Sequence, residues 1–365
     1  MDRTYTASPG AAYFLGANTP GGFYSLFSEL TGPGGGRRLL IVKGGPGTGK
    51  STLMKRLAAE AERRGLYCER IFCSSDPQSL DAVILPGLRL SVADGTPPHA
   101  LEPRYPGAFE TLIDLGRFRD DRPLRAAADE IVALTDRNRD AHAECTAFLK
   151  AAGSVAGEVE AAAAEALQTE KLQRFARRLA ETLCPAASSG PGRREVRFLS
   201  ALTPQGLTVF YDTFYSRCEH TVALRDPYGA AAPAILETVY RTADAAGLDT
   251  VRCVCPMSCG QKLEHLLVPQ LGLGLCTAND FHPFEEPAQK TVNCLSFYRA
   301  ERLKAQKNRL RFCRRAQREL LDAALEKLSA AKKLHDELER YYIRAMDFPA
   351  LNAYAEALLG ELFGE

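Results

Sequence analysis

The sequence has almost no surplus of charge, no long hydrophobic run and no apolar segment at its N-terminus. Lysine and arginine total 46 against 45 acidic residues, so the formal net charge is +1. A chain with so little net charge has no general attraction to nucleic acid or to membrane surfaces. The longest apolar run, residues 263–276, is interrupted by Pro269, Gly272 and Gly274 and is too short to span a bilayer. We therefore expect no membrane partner.

Export is also not indicated. The first ten residues, MDRTYTASPG, lack the apolar core of a secretory signal. Eleven cysteines in a chain of 365 residues without such a signal favour reduced thiols over a disulfide framework. We expect a soluble protein in the cytoplasm, and a chain of this length most often forms two domains.

The chain contains an internal repeat. The segment YFLGANTPGGFYSLF, beginning at position 13, matches RFLSALTPQGLTVFY, beginning at position 197. Further along, LDAVILPGLRLSV matches LEHLLVPQLGLGL, and His99 falls on His282. Matches in one order over most of both halves make chance similarity a poor explanation. We predict two tandem copies, residues 1–188 and 193–365, joined by the linker AASSGPG.

Both copies have the same predicted order of elements. In the first copy these are a short strand with a TPxG turn, a helix over residues 23–30, a strand over 39–42, a glycine-rich loop, a helix over 51–64, and strands over 67–73 and 88–93. A long helical region ends each copy, over residues 123–183 and 295–362. Strands that alternate with helices predict an α/β fold with mainly parallel sheets. We expect two tandem domains of P-loop NTPase type.

The first copy carries a phosphate-binding motif, G-x-x-x-x-G-K-[ST], between its apolar strand and the next helix. Glycines allow a tight turn in which backbone amides point at phosphate oxygens, and the helix adds the positive end of its dipole. We predict that the loop binds a nucleoside triphosphate, ATP with Mg²⁺. The predicted binding residues are Gly44, Gly45, Pro46, Gly47, Thr48, Gly49, Lys50, Ser51 and Thr52.

Three side chains have predicted roles in catalysis and metal binding. Lys50 is expected to reach the β- and γ-phosphates as a catalytic residue, and the Ser51 hydroxyl to ligate Mg²⁺. Asp94, at the end of an apolar strand, is the second predicted Mg²⁺ ligand and catalytic acid. Two alternatives remain: Asp94 precedes Gly95 as in a common turn, and Asp76 is a rival acid that suits a helix N-cap equally well.

The second copy has lost this chemistry. On the repeat alignment, Gly44, Lys50, Ser51 and Asp94 meet Asp226, Ala232, Pro233 and Thr277. An aspartate in the loop would also repel phosphate. We therefore predict one active site and one degenerate copy that serves as a structural or regulatory partner.

Other residues have two interpretations each. His99 and His282 are typical of packing or loop-fixing residues, with proton transfer or γ-phosphate sensing as the alternative for His99. The arginines after the first sheet could be lid residues or a solvated helix start; they are Arg117, Arg119, Arg122 and Arg125. Arg225 or Arg252 could instead reach the loop from the second copy.

Two local clusters could be considered as sites for further ligands, a metal ion and a nucleic acid. Cys253, Cys255 and Cys259 lack the second cysteine pair of a zinc knuckle, so a buried strand is the better interpretation. The helix over residues 298–318 carries nine basic residues, Arg299, Arg302, Lys304, Lys307, Arg309, Arg311, Arg314, Arg315 and Arg318. Such a stripe could bind nucleic acid, but no recognition motif accompanies it.

Three segments, KGGPGTGKSTLMK, CSSDPQSLDAVILP and VADGTPPH, together resemble a bacterial family of ATP-binding proteins, assigned as ATPases, with two tandem P-loop-like halves. The resemblance covers nearly the whole chain. It implies a P-loop fold and ATP binding, with the loop at residues 44–52 and the acidic strand end at Asp94, and it implies no particular cellular role. The second half departs from the family because its phosphate loop is missing.

Three reactions fit the motif. The chain could be an ATPase that moves its two halves, a small-molecule kinase, or a nucleotide-sensing protein that binds a protein partner with little turnover. Fast motor-type hydrolases usually follow the strand-end aspartate with a glutamate that activates water, and Gly95 takes that place here. No acceptor-binding motif indicates a kinase. We expect slow, Mg²⁺-dependent ATP hydrolysis.

Overall fold

The computed structural model describes residues 10–31, 38–185, 190–284 and 288–364. The strands of the first half are β1 Ala11–Tyr13, β2 Gly16–Thr19, β3 Gly22–Ser25, β4 Arg38–Lys43, β5 Glu69–Phe72, β6 Leu80–Leu85, β7 Leu90–Asp94 and β8 Glu110–Asp114. Its helices are α1 Lys50–Arg63, α2 Asp121–Ala126, α3 Ala128–Ala164 and α4 Thr169–Leu183.

The second half repeats this order with one additional short helix, Tyr211–Arg217. Its strands are β9 Arg194–Arg197, β10 Ser200–Thr203, β11 Gly206–Val209, β12 His220–Arg225, β13 Thr250–Val254, β14 Leu263–Val268, β15 Leu273–Ala278 and β16 Lys290–Asn293. Its helices are α5 Tyr211–Arg217, α6 Ala232–Ala245, α7 Ala300–Ala305, α8 Lys307–Arg344 and α9 Phe348–Phe363. The internal duplication seen in the sequence is therefore present in the structure.

Each half builds a six-stranded sheet with one topology, in the order β1-β5-β6-β7-β4-β8 and β9-β13-β14-β15-β12-β16. Only β6 and β14 run antiparallel to their neighbours, and the remaining pairs are parallel. The prediction of an α/β fold with mainly parallel sheets is confirmed. The central strands are buried on both faces, which matches their continuous apolar sequence.

In the first half one predicted element is wrong, two strands were missed, and the single short strand expected before the TPxG turn is two strands, β1 and β2. The expected helix over residues 23–30 is instead strand β3 followed by a single 3₁₀ turn, Phe27–Leu30. Gly22 adopts a positive φ of 99° and closes a two-residue turn, so β2 and β3 pair as a hairpin. Strands β6 and β8 have no counterpart in the predicted order.

The two halves exchange their last helices. Helix α4 packs on α6 of the second half, and α9 packs in the core that α1 forms with the first sheet. Two equivalent backbone bridges mark the crossings, Arg119 with Met346 and Leu167 with Tyr298. Between them α3 and α8 lie antiparallel, as the Asn138–Ala331 hydrogen bond and the Arg309–Glu158 ion pair show. Each half therefore supplies a helix that covers the other half.

The two sheets also share a core. Phe14 and its repeat equivalent Phe198 form a backbone bridge, and both are fully buried. Beside them the buried Arg197 guanidinium donates to the Glu69 carboxylate at 3.0 Å across the halves. Among the described residues, no helix is long and apolar enough to cross a membrane.

Candidate functional site

The predicted phosphate loop connects β4 to α1. Strand β4 ends at Lys43 and α1 begins at Lys50, so the loop lies where the parallel strands have their carboxyl ends. Asp94 is the last residue of β7, which pairs directly with β4 and places Asp94 opposite Val42. The fold therefore brings Lys50 and Asp94 together, with 3.6 Å between the Nζ and Oδ2 atoms.

Lys50 is held inside the loop. Its Nζ donates to the carbonyl oxygens of Gly44 at 3.1 Å and Gly45 at 2.8 Å. Asp94 is fixed from the other side, because its Oδ1 accepts from the amide and the hydroxyl of Thr96. Asp94 thus acts as the turn residue of one interpretation while its second oxygen faces the lysine. An ammonium group that contacts only carbonyls and one carboxylate can be redirected to a phosphate.

The remaining loop residues shape the turn. Gly49 has a φ of 84° at the N-terminus of α1, a left-handed conformation that glycine adopts without strain. The buried Thr48 hydroxyl donates to the carbonyl of Gly45 at 2.9 Å. The Ser51 Oγ accepts from the amide of Leu80 at 2.9 Å, and Thr52 is exposed on the helix. The Ser51 hydroxyl proton thus remains available for another acceptor.

Helix α8 of the second half covers this loop and supplies an anion. The amide of Gly47 donates to the Glu339 carboxylate at 3.1 Å. Contact is close, since a Cβ on Gly47 would lie 2.8 Å from Ile343 and one on Gly45 would lie 2.8 Å from Tyr342. Hydrogen bonds from His335 and Gly47 lower the pKa of Glu339, so this carboxylate is ionised at neutral pH.

An acid that the sequence analysis missed lies beside Asp94. Asp81 is buried in β6, with its Oδ2 3.5 Å from the Nε2 of His99. Single oxygen or nitrogen atoms of Asp81, Asp94 and His99 lie within 4.8 Å of one another. Burial alone would lower the pKa of His99, but the contact with Asp81 and the charge of Asp94 raise it overall. The sequence did contain a sign of this residue, because both copies have an acid, Asp81 or Glu264, inside an otherwise apolar strand.

His99 is also a packing residue. Its ring stacks on Phe27 with 4.5 Å between centroids, and it is 5% exposed. Asp76 lies in the turn between β5 and β6, where its carboxylate accepts from Ser79 and Gln78. It caps a turn rather than a helix. Lys332 of α8 lies 3.7 Å from it.

The equivalent loop of the second half contains a carboxylate of its own. Asp226, which is fully buried, accepts from the amides of Ala231 and Ala232 at 2.8 Å each. The Tyr298 hydroxyl donates to its other oxygen at 2.8 Å. These amides begin helix α6 at the positions equivalent to Gly49 and Lys50. An internal carboxylate therefore takes the position at which this kind of loop binds an anion.

The candidate arginines contact nearby groups. Arg122 and Arg125 pair with Asp120 and Asp121 at the start of α2, while Arg117 lies over the ring of Tyr354 in α9. Arg119 lies 5.9 Å from the ring of Tyr342, the residue that covers Gly45. The Tyr342 side chain therefore lies between Arg119 and the loop.

Residues proposed to act from the second half are held there or on its surface. Arg252 contacts Glu237 and Tyr240 of its own half, and Arg225 is exposed at the end of β12. In the basic stripe, Arg309 pairs with Glu158, and Arg314 pairs with Asp280. The stripe is therefore partly neutralised by acids of other elements.

All eleven cysteines lie in the described part of the chain and are free thiols. Burial raises the pKa values of Cys253 and Cys255 well above the ordinary range of a thiol. Protonated, buried thiols fit the interpretation of this segment as a core strand. No family model matches the chain, and neither a curated protein nor a solved structure matches it.

Proposed function

We propose that the first half binds a nucleoside triphosphate, ATP with Mg²⁺, on residues 44–52 and hydrolyses it slowly. The observation that carries the proposal is the bond from the Gly47 amide to the Glu339 carboxylate. It supports a loop in which an amide, that of Gly47, is directed at an anion from outside the loop. Lys50 and the N-terminus of α1 add positive charge at the same place.

The acids beside the loop support the Mg²⁺ part of the proposal. Asp94 and Asp81 offer carboxylate oxygens within 4.8 Å of each other, and oxygen is the ligand that Mg²⁺ prefers. Ser51 supplies the hydroxyl at the start of α1. His99, Asp81 and Asp94 also form the group best placed to hold an attacking water. The site has no glutamate after Asp94, which fits slow rather than fast hydrolysis.

Contact between the loop and α8 favours a second function, nucleotide sensing. A triphosphate that binds the Gly47 amide must displace Glu339, and Glu339 belongs to the 38-residue helix that pairs with α3. Binding would therefore alter the contact between the halves. The small-molecule kinase has no comparable support among the described residues.

Calorimetric titration with ATP and GTP, with and without Mg²⁺, tests the proposal. We expect Mg²⁺-dependent binding that weakens about 10- to 100-fold in Lys50→Ala, because a hydrogen bond to a charged group is lost. Lys55→Ala is the matched control, since Lys55 is exposed on the same helix. Equal affinity in both variants, or no binding by the unmodified chain, would overturn the proposal.

Phosphate release then separates the reactions. Release from ATP without any acceptor supports hydrolysis. Binding without release, accompanied by a change in proteolysis at the α8 helix, supports sensing. ADP formation only after metabolites are added supports the kinase.

A further inference from the structure

The second half contains a buried group of ligating side chains away from the phosphate loop. Glu264 and His265 are consecutive in β14, and His282 follows β15. Strand β14 has a bulge opposite Cys253 and Val254, and Glu264 is the residue that the pairing skips. A bulge directs two consecutive side chains to one side of a sheet, which ordinary alternation forbids. Ligating atoms of the three residues lie within 4.8 Å of one another.

These side chains lack the partners that burial demands. Glu264 is 4% exposed, His265 1% and His282 5%. Both ring nitrogens of His265, the Nδ1 of His282 and the Oε2 of Glu264 have no hydrogen-bond partner. A buried polar atom without a partner costs free energy, and four such atoms on three adjacent side chains require an explanation. A bound cation can take one ligand atom from each of the three side chains.

Neighbouring groups prepare the histidines as ligands. The Ser200 hydroxyl lies 3.1 Å from His282 Nε2, which leaves Nδ1 directed toward Glu264. Such an outer hydrogen bond fixes the ring orientation and tautomer of a metal-binding histidine. His265 is 1% exposed, and neither of its ring nitrogens has a protein partner that would compete with a cation.

Distance and donor type indicate the kind of ion. His282 Nδ1 and Glu264 Oε1 are 3.3 Å apart. Two ligands bound at tetrahedral angles to Zn²⁺ are also about 3.3 Å apart, given bond lengths of about 2.0–2.1 Å. Two imidazoles and one carboxylate form a donor set of Zn²⁺ and Fe²⁺ sites that keep an open position.

The open position has space in front of it. Glu264, His282 and Ser200 line a cavity of about 130 Å³. Residues of both halves close it, including Asn18, Val159 and Tyr228. A metal with three protein ligands and access to such a cavity can bind water or a small ligand there.

The first half lacks this donor set. Asp81 and His99 occupy the positions of Glu264 and His282, but Ala82 replaces His265 and Gly16 replaces Ser200. Asp94 adds an oxygen instead, where the second half has Thr277. The two clusters thus differ in hardness: the first suits a hard cation, and the second a nitrogen-binding transition metal.

A serine nucleophile is the competing interpretation. His282 lies between Ser200 and Glu264, as the histidine of a serine hydrolase lies between its serine and its acid. His282 Nδ1 is not hydrogen-bonded to Glu264 despite the 3.3 Å separation. That relay also leaves both nitrogens of His265 unexplained. A metal bound by all three side chains gives His265 a partner at one ring nitrogen, which the relay does not.

We propose that Glu264, His265 and His282 bind one divalent transition-metal ion, Zn²⁺ by preference, with an open coordination position facing the cavity. The full chain, stripped with a chelator, would be titrated with Co²⁺ followed by absorbance and with Zn²⁺ in competition. We expect one ion per chain and the intense visible bands of low-coordinate Co²⁺, which Zn²⁺ abolishes. Zn²⁺ should also raise the melting temperature.

Variants assign the ligands. His265→Ala and Glu264→Gln should each weaken Zn²⁺ binding at least about 100-fold, and Ser200→Ala about 10-fold. His220→Ala, an exposed histidine of β12, and Asp94→Asn should leave it unchanged. If a ligand variant fails to fold, the unmodified chain decides by stoichiometry and Co²⁺ spectrum.

Several results would overturn the proposal. These are no bound ion, equal affinity in His265→Ala and His220→Ala, and loss of binding in Asp94→Asn. Labelling of Ser200 by a serine-reactive phosphonate without any metal binding would instead establish the nucleophile. Preference for Fe²⁺ over Zn²⁺ would reject zinc as the ion.

Discussion

The two equivalent loops of this chain, residues 44–52 and 226–234, show two ways of satisfying the same helix terminus. In the second half, Asp226 belongs to the loop itself, and its carboxylate bonds to the amides of Ala231 and Ala232 at 2.8 Å. In the first half, the carboxylate on Gly47 comes from Glu339, about three hundred residues away in sequence. The carboxylate within the second loop occupies its amides permanently. The carboxylate on α8 can move away from the Gly47 amide if that helix shifts.

The two long paired helices, α3 and α8, each carry an acid at this contact. Glu160 of α3 and Glu339 of α8 occupy equivalent places in the two helical regions. Glu339 accepts from a loop amide, while Glu160 pairs with Lys262 beside Gly229, the repeat equivalent of Gly47. The duplication thus retained the covering acid in both halves and changed what it binds. The comparison can be tested at four places.

The largest expected effect is at the junction of the halves. Arg197→Met leaves the Glu69 carboxylate buried without its 3.0 Å partner. We expect a loss of about 3–5 kcal/mol in the free energy of unfolding, because the buried carboxylate keeps only the Arg217 guanidinium, 4.0 Å away, as a charged partner. Urea unfolding followed by circular dichroism measures it. Arg194→Met, which breaks an exposed pair with Asp244, should cost about 0–1 kcal/mol, and equal losses would contradict this account.

A smaller loss is expected at the loop of the second half. Asp226→Ala removes the acceptor of two amides and of the Tyr298 hydroxyl. We expect about 2–4 kcal/mol of destabilisation, since the buried donors lose their partner. Inorganic phosphate should restore part of the melting temperature by occupying the vacated position. Asp322→Ala, at an exposed site on α8, is the control, and rescue of both variants alike would sink the idea.

Local features of the sequence predicted the loop and Asp94, because the spacing, the strand before the motif and the helix after it are all contiguous. Asp81 and Glu264 were missed because each reads as an ordinary residue until a bulge and a distant histidine give it neighbours. The prediction of a helix over residues 23–30 was wrong because Gly22 closes a hairpin turn, and the residues after it pair with β2 as strand β3.

Exchange of the terminal helices could not be predicted from the sequence. The contacts of α4 and α9 join segments far apart in the chain, and their amphipathic patterns do not specify which sheet they cover. The ranges 1–188 and 193–365 stay a prediction about the repeat. Nothing in either range indicated that Tyr342 and Ile343 would cover a loop of the other copy.

A modest effect on nucleotide affinity is expected where α8 covers the loop of residues 44–52. Glu339→Gln removes the charge that competes with phosphate for the Gly47 amide. If the first half binds ATP as proposed, the affinity should increase about 3- to 10-fold. Calorimetry against Glu337→Gln, an exposed acid of the same helix, measures the difference. Weaker binding in Glu339→Gln would show that this carboxylate assists the nucleotide instead.

The smallest effect concerns the pairing of α3 with α8, which couples the halves. Burial and the nearby charge of His335 lower the pKa of His142 in the folded chain below its ordinary value of 6.5. Over the interval between the two values, the unfolded chain binds more protons, so stability rises with pH there. The contribution of a neutral His142 is present above about pH 6.5 and is lost as the pH falls through the folded value. His142→Gln should flatten the decline of the melting temperature between about pH 7 and about pH 5, whereas His220→Gln, at an exposed site, should not. Parallel profiles for the two variants would mean that the acid sensitivity of the molecule arises outside this helix pair.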